Sequence, residues 1–141
     1  MSKVSEKENK KTILIVEDSV DFANLLQFLI DDEGVQGVQF PLEGGDIVEW
    51  VKKYKPVTIL MDLALRRKGG LSYIDDLKAD PDARDIPIII ITGRDLSQKE
   101  ILEFEMRDIK YLRKGRVEIN DIKKVIRESA GIKVNTTSSR K

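Results

Sequence analysis

The fold is decided by the stretch ILIVED, residues 13–18, in which four apolar residues run directly into two acidic ones. Two later segments repeat this pattern. The segment VTILM at 57–61 is followed by Asp62, and the segment IIII at 88–91 is followed by Thr92. Continuous apolar runs of this length are typical of strands that are buried on both faces of a parallel sheet. Each of these strands therefore ends in a polar group.

A fourth and more polar segment runs from Ile109 to Lys114. The carboxyl ends of parallel strands lie on one edge of a sheet, and ligands bind at that edge. We therefore expect the polar residues at these four strand ends to converge in one cleft.

Strand-like and helix-like segments alternate along the chain, as in repeated βα units. The strands are predicted near 12–16, 35–40, 57–61, 87–92 and 109–113. The second and fifth segments interleave polar residues, so they are predicted to be edge strands. The sequence thus predicts an α/β fold with a doubly wound, five-stranded parallel sheet of order 2-1-3-4-5, which is flavodoxin-like and places a crevice between strands one and three.

Each connecting segment carries an apolar face at helical spacing. The residues predicted to face the core are Phe22, Leu25, Leu26, Leu29, then Ile47, Trp50, Val51, Tyr54, then Leu71, Ile74, Leu77, and finally Ile119, Ile122 and Ile126. Asp18 and Ser19 are good N-cap residues for the first helix. Between Ser97 and Met106 the pattern is weaker, with Ile101, Leu102 and Phe104 as its anchors, so we expect the fourth helix to be loosely held.

Length and composition exclude several classes of protein. A chain of 141 residues has room for one domain with a single core. Cysteine and histidine are absent, which removes disulfides, thiol nucleophiles, imidazole metal ligands and any role as a phosphohistidine carrier. No apolar stretch is long enough to span a bilayer and no signal peptide precedes the first strand, so a cytoplasmic location is expected.

Charge is unevenly distributed along the chain. Basic and acidic residues both number 25, which favours neither direct nucleic-acid binding nor membrane insertion. Seven basic and two acidic residues lie within 1–11 and 132–141, which leaves residues 12–131 with a net charge of −5. We predict a mobile N-terminal arm at 1–11, a folded domain at 12–130 and a flexible tail at 131–141.

Three carboxylates at one sheet edge, those of Glu17, Asp18 and Asp62, would raise one another's pKa unless a cation were present. Mg²⁺ suits such a site because it prefers hard oxygen ligands and accepts one or two carboxylates with waters and phosphate oxygens. Asp62 could then attack a phosphoryl group. Lys114 and the hydroxyl of Thr92 would hold the equatorial oxygens of that group.

These residues, in this order and on these strand ends, resemble the receiver domain of two-component response regulators over about residues 11–129. The resemblance implies that Asp62 is the phosphoacceptor and that Glu17 and Asp18 bind Mg²⁺ together with the backbone carbonyl of Ala64. It further implies that Thr92 and Tyr111 are the switch residues, that Lys114 is an ion-pair partner of the phosphoryl group, and that Gly70 precedes the third helix.

Two segments depart from the family pattern. Gly115 stands where proline usually follows the lysine; a cis bond before a non-proline residue costs roughly 3–4 kcal/mol, so we predict a trans Lys114–Gly115 bond. The loop after Asp62, residues 65–69, reads LRRKG instead of carrying Met-Pro. This basic loop is a candidate for holding a phosphate or an acidic partner.

Taken one by one, the same residues have simpler interpretations. Asp18 could merely cap the first helix, Asp62 could be a turn residue, and Thr92 an ordinary strand residue. Lys114 alone would be a solvated charge, and Tyr111 an edge-strand packing residue. The joint pattern is what favours the functional interpretation of each.

By this resemblance the chain is a phosphorylation-activated regulator and not an enzyme acting on other molecules. A histidine kinase, a histidine phosphotransfer protein or a small acyl phosphate would donate to Asp62. A protein partner would then read the surface of the fourth helix, fifth strand and fifth helix. One alternative is a pseudo-receiver that does not cycle phosphate, motivated by Gly115 and by the altered loop after Asp62. Another is a small phosphatase, disfavoured because Ala64 stands where such enzymes carry a second acid.

Overall fold

The computed structural model describes residues 10–132. Five strands and five helices alternate along this part of the chain. The strands are β1 (Thr12–Val16), β2 (Gln36–Gln39), β3 (Thr58–Met61), β4 (Ile88–Thr92) and β5 (Lys110–Arg113). The helices are α1 (Val20–Asp32), α2 (Ile47–Tyr54), α3 (Gly70–Ala79), α4 (Gln98–Met106) and α5 (Ile119–Ala130). Every predicted strand is present, with bounds that differ by at most one residue at either end.

All five strands are parallel and lie in the order β2-β1-β3-β4-β5, which confirms the predicted topology. The polar edge strands are indeed β2 and β5. In the centre of the sheet Val16 of β1 pairs with Met61 of β3, so both strands end at the same level. The residues that follow these two strands therefore begin side by side at the carboxyl edge.

Apolar residues cover both faces of the sheet. On one face Leu14, Val16 and Met61 belong to a core shared with α2, α3 and Phe104 of α4. On the other face Ile13 and its neighbours pack against α1 and α5. This double burial explains the continuous apolar runs of β1, β3 and β4, because successive side chains of a strand point to opposite faces.

Three residues predicted to face the core are exposed, namely Leu71, Leu102 and Ile119. In α3 the buried positions begin at Gly70 and include Tyr73, so Leu71 lies about 100° away from that stripe. Leu102 lies two residues from the buried Phe104 and therefore on the opposite side of α4. Ile119 is the first residue of α5 and precedes the buried stripe that starts at Ile122.

The predicted arm and tail fall mostly on residues 1–9 and 133–141, which lie outside the described residues, and they stay predictions. Where the structure begins, the Lys11 ammonium donates a hydrogen bond to the carbonyl of Ala130 at 2.9 Å. Among residues 10–132, no helix combines the length and the apolar character that crossing a bilayer requires.

Candidate functional site

Three carboxylates meet at the carboxyl edge of the central strands. Glu17 and Asp18 follow β1 and Asp62 follows β3, and one oxygen from each lies within 4.8 Å of the others. The sheet register brings them together, since the Asp62 N–H donates to the carbonyl of Val16 at 3.0 Å. The predicted convergence of these three residues is thus present in the structure.

Lys114 reaches the same cluster from the end of β5. Its Nζ lies 2.9 Å from Glu17 Oε1 and 3.4 Å from Asp62 Oδ2. The backbone directs it there, because the Lys114 N–H donates to the carbonyl of Thr92 at 2.8 Å. The Lys114–Gly115 bond is trans, as predicted. The ammonium therefore reaches the carboxylates without a proline after it.

Burial and charge act against each other in this cluster. Glu17 and Asp62 are buried, with 9% and 5% of their surfaces exposed. Burial raises the pKa of Glu17, hydrogen bonds from the Ser19 N–H and from Lys114 lower it, and the charge of Asp62 raises it. The net direction is upward. The sequence predicts that repulsion between the acids raises their pKa values, whereas for Glu17 the larger cause is loss of solvent.

The pKa of the Lys114 ammonium is also raised, which favours its charged form. Burial lowers the pKa of Lys114, but its hydrogen bond to Glu17 and the charges of Glu17 and Asp62 outweigh this, so the pKa is raised. The ammonium of Lys114 lies over the Phe22 ring, with Nζ 4.6 Å from the ring centroid. Lys114 is therefore held as a charged ammonium between two acids.

Asp18 is not the cap of the first helix. Ser19 is the N-cap residue of α1, with its hydroxyl accepting from the Phe22 N–H at 3.4 Å. Asp18 instead accepts a hydrogen bond from the Arg66 N–H at 3.0 Å. The simpler interpretation of Asp18 as an N-cap is therefore wrong, and its carboxylate faces the loop that follows β3.

Thr92 and Tyr111 occupy different positions relative to the acids. Thr92 is fully buried at the end of β4, and its hydroxyl accepts from the Arg94 N–H at 3.2 Å. Tyr111 lies on β5 with 37% of its surface exposed, along a groove that also contains Ile101. The structure thus gathers the acids and Lys114, places Thr92 at the neighbouring strand end and leaves Tyr111 on the surface. Ala64 lies beside the acids and donates its N–H to Asp62 Oδ1 at 3.2 Å.

Sequence reasoning missed two contributors to this arrangement. The Ser19 N–H donates to Glu17 Oε2 at 3.0 Å, and the Phe22 ring supports Lys114. Helical spacing predicts Phe22 as a core residue, and Phe22 does pack, partly buried, against the core beside α1 and α5. Its position in the first turn of α1, directly after the acidic pair, is the signal that could have placed it at the site.

The donor set fits a divalent cation. The three carboxylates offer only oxygen atoms, and hard cations such as Mg²⁺ prefer oxygen ligands. The close approach of Lys114 to two of them shows that positive charge is favoured at this position. The same oxygens could therefore serve either the ammonium or a metal ion.

The family model described as the response regulator receiver domain matches residues 13–137. The chain belongs to this family. The receiver domain is 28% identical over 132 residues to the response regulator Rcp1 of Synechocystis sp., an alignment that covers 86% of this chain and 87% of that protein. It is 28% identical over 107 residues to the phosphate regulon regulatory protein PhoB of Escherichia coli, but it aligns with only 45% of that longer protein.

Solved structures show the same fold. The chemotaxis protein CheY4 of Vibrio cholerae superimposes with a TM-score of 0.70 at 15% identity, covering 85% of this chain and 98% of that one. The Mn²⁺-bound form of Rcp1 superimposes with a TM-score of 0.66 at 24% identity, covering 88% and 96%. The receiver fold predicted from the strand pattern is therefore confirmed by independent comparisons.

Proposed function

We propose that Asp62 accepts a phosphoryl group and that this modification changes the binding of a protein partner. The observation that carries the proposal is the position of Asp62, a buried carboxylate 3.4 Å from the Lys114 ammonium and grouped with Glu17 and Asp18. A carboxylate that is buried and ionised needs such compensation, and a cluster of this kind in a cleft is a functional-site candidate.

The transfer requires little from the protein beyond positioning and charge. An oxygen of Asp62 would form the new bond to phosphorus while the bond to the donor breaks, and the donor departs with that electron pair. Lys114 would balance the charge spread over the phosphoryl oxygens. The Thr92 hydroxyl would turn from the Arg94 N–H and donate a hydrogen bond to one of these oxygens.

Mg²⁺ would be held by the carboxylates of Glu17, Asp18 and Asp62 and by the carbonyl of Ala64. When bound, this ion would offset the negative charge that the acceptor and the phosphoryl oxygens bring together. The Mn²⁺-bound form of Rcp1 supports this assignment, since it shows that a relative takes up a divalent metal. Residues 10–132 supply oxygen ligands without histidine or cysteine, which suits a hard ion.

The phosphoryl donor would be a histidine kinase, a histidine phosphotransfer protein or a small acyl phosphate. Because this chain contains no histidine, any phosphohistidine must belong to the donor protein. The receiver would catalyse this transfer to itself, and the later loss of the group, without acting on a separate substrate.

The response would be read on the surface formed by α4, β5 and α5. A groove of about 420 Å³ lies there, lined by Ile101, Tyr111, Leu112 and Val125 among others. Movement of Thr92 would alter the loop between β4 and α4, and Tyr111 on the next strand would follow. A protein partner that binds this groove would then distinguish the two states. The pseudo-receiver alternative is not favoured, because Lys114 reaches the acids despite Gly115. The altered loop after Asp62 is the motive that remains for it.

A beryllofluoride titration in Mg²⁺, followed by amide NMR spectra, tests the proposal. We expect shifts at residues 17–19, 62–66 and 92–94, and on the α4–β5–α5 surface, in the wild type but not in Asp62→Asn. Shifts of the same size in both proteins, or none in the wild type, would refute the assignment.

A further inference from the structure

Beside the acid cluster lies a second, polar cavity of about 270 Å³. It is walled by Asp18 on one side and by the loop after β3 on the other, with Arg66, Arg67 and Lys68 among its lining residues. Glu43 and Tyr73 complete much of the wall. Because Asp18 belongs to both the cavity and the acid cluster, the two adjoin at this residue.

Two of the three cations in the loop have weak partners. The Arg66 side chain is 89% exposed, and its Nε lies 3.9 Å from Asp18 Oδ2. Arg67 donates from Nη1 to the carbonyl of Glu43 at 3.5 Å, the outer limit of a hydrogen bond. Lys68, in contrast, forms an ion pair with Asp76 and lies over the Tyr73 ring. The N–H groups of the two guanidinium groups can therefore donate hydrogen bonds to an anion.

The balance of charge in the cavity depends on Asp18. Asp18 and Glu43 are the acidic residues of the lining and equal Arg66 and Arg67 in number, while Lys68 is paired with Asp76. A divalent ion on Asp18 would cancel that acid and leave the cavity positive. It would also compete with Arg66 for the carboxylate. The loop would remain attached to the site through the Arg66 N–H, which donates to Asp18 at 3.0 Å.

We propose that Arg66 and Arg67 bind a second anionic group on a small acyl phosphate donor while its phosphoryl group lies at Asp62. This rests on the proposed function of Asp62. Planar guanidinium groups match carboxylate and phosphate oxygens in a two-pronged geometry, and a cavity of this volume accommodates such a group with a short linker. The site thus selects acyl phosphates that carry an additional negative charge over those that do not.

In the transfer itself an oxygen of Asp62 forms a bond to phosphorus as the acyl oxygen–phosphorus bond breaks. The carboxylate of the donor leaves with the electron pair, and no proton, oxidant or further reactant is needed. Arg66 and Arg67 are binding residues in this scheme. They hold a part of the donor that does not react.

Rigid aromatic donors test the selection. Benzoyl phosphate is compared with 3- and 4-carboxybenzoyl phosphate in Mg²⁺, using initial rates of phosphorylation of the full chain and correcting for the spontaneous hydrolysis of each donor. We expect kcat/KM to be roughly three- to tenfold higher for at least one carboxylated donor, a range set by the strength of exposed charge pairs. Raising the salt concentration from 0.05 M to 0.5 M should remove most of this advantage.

In saturating Mg²⁺, the double variant Arg66→Gln/Arg67→Gln should lose the advantage, so that its kcat/KM for the carboxylated donors equals its own kcat/KM for benzoyl phosphate. A matched control, Arg84→Gln/Lys110→Gln, removes the same charge from segments at the opposite edge of the sheet and should keep the advantage. As a readout independent of transfer, isophthalate added in Mg²⁺ should shift the amide signals of residues 65–68 in the wild type but not in the loop variant.

The possible outcomes separate this inference from the proposed function. Phosphorylation by benzoyl phosphate with no carboxylate advantage, or an advantage that survives in the loop variant, overturns the role of Arg66 and Arg67 and leaves Asp62 as the acceptor. Failure of every donor to modify the wild type overturns the assignment of Asp62 itself.

Discussion

Two glutamates in this receiver domain lie beside cations from distant parts of the chain, yet their carboxyl pKa values move in opposite directions. Glu33, at the end of α1, accepts from Arg127 of α5 at 2.9 Å and 2.8 Å, and this pairing lowers its pKa. Glu17 accepts from Lys114 at 2.9 Å, but burial raises its pKa.

Burial is the main difference, because it is the largest cause of the upward pKa shift of Glu17, whereas the hydrogen bond to Arg127 dominates at Glu33. A second difference is the number of acids that share each cation. Arg127 donates two hydrogen bonds to the carboxylate of Glu33, so one positive charge is balanced by one negative charge. Lys114 is shared between Glu17 and Asp62, and Asp18 lies close by. The first pair is complete and stabilises the fold. The acid cluster has three carboxylates and one ammonium, so it lacks positive charge. A bound metal ion would supply that charge.

The largest expected difference between the two pairs is in phosphoryl transfer. Lys114→Met should lower the rate of phosphorylation by an acyl phosphate in Mg²⁺ about 100-fold, because it removes a fixed charge from the transferring group. Arg127→Met should leave the rate within about twofold. Initial rates measured by intact-protein mass spectrometry check this, and equal rates in both variants would contradict the contrast.

Mg²⁺ should stabilise only the deficient site. At a concentration 100 times its Kd, the ion should add about 2.7 kcal/mol to the free energy of unfolding of the wild type and of Glu33→Gln. Asp18→Asn should show a much smaller gain at the same concentration, because a ligand is lost. Denaturant unfolding with and without Mg²⁺ measures this, and an equal gain in all three proteins would place the ion elsewhere.

Neutralising the two glutamates should have opposite effects in the absence of a metal. Glu33→Gln should lower the free energy of unfolding by about 1 kcal/mol, because a charge-assisted pair is lost. Glu17→Gln should raise it, because a buried carboxyl whose pKa is raised above its usual value opposes folding at pH 7, and Lys114 keeps Asp62 as a partner. Chemical unfolding of both variants and the wild type in EDTA at pH 7 measures whether each free energy of unfolding rises or falls. Loss of stability in both variants would mean that the cluster is not short of positive charge.

The smallest effect is the dependence of the Glu33 pair on pH. The folded-state pKa of Glu33 is lowered from 4.5, so its stabilising contribution is fully present above that value and is lost as pH falls through the lowered pKa. The difference in stability between wild type and Glu33→Gln should therefore be constant near pH 7 and shrink progressively below pH 4.5. A difference that stays unchanged at lower pH would show that the charge of Glu33 does not contribute.

Much of this molecule could be predicted from the pattern of its strands. Buried strands on both faces need continuous apolar residues, so β1, β3 and β4 stand out and their ends locate Glu17, Asp62 and Thr92. Chain topology then brings these ends to one edge whatever the helices do. This is why the site could be found without knowing the details of the packing.

What could not be predicted depends on side-chain geometry across elements. Nothing in the sequence indicates that Ser19, and not Asp18, caps α1, since both are good N-cap residues. The outward positions of Leu71 and Leu102 depend on which side of each helix meets the sheet. The pair between Arg127 and Glu33 joins residues 94 positions apart, and no local pattern connects them.

The central claim is that the acid cluster makes Asp62 the phosphoryl acceptor, and chemical mapping of the modified residue tests it most directly. The wild type is incubated with acetyl phosphate and Mg²⁺, reduced with borohydride to convert an acyl phosphate into an alcohol, digested and sequenced by mass spectrometry. We predict homoserine at position 62 in the wild type and none in Asp62→Asn. Homoserine at another aspartate, or an equally modified Asp62→Asn protein, would contradict the account.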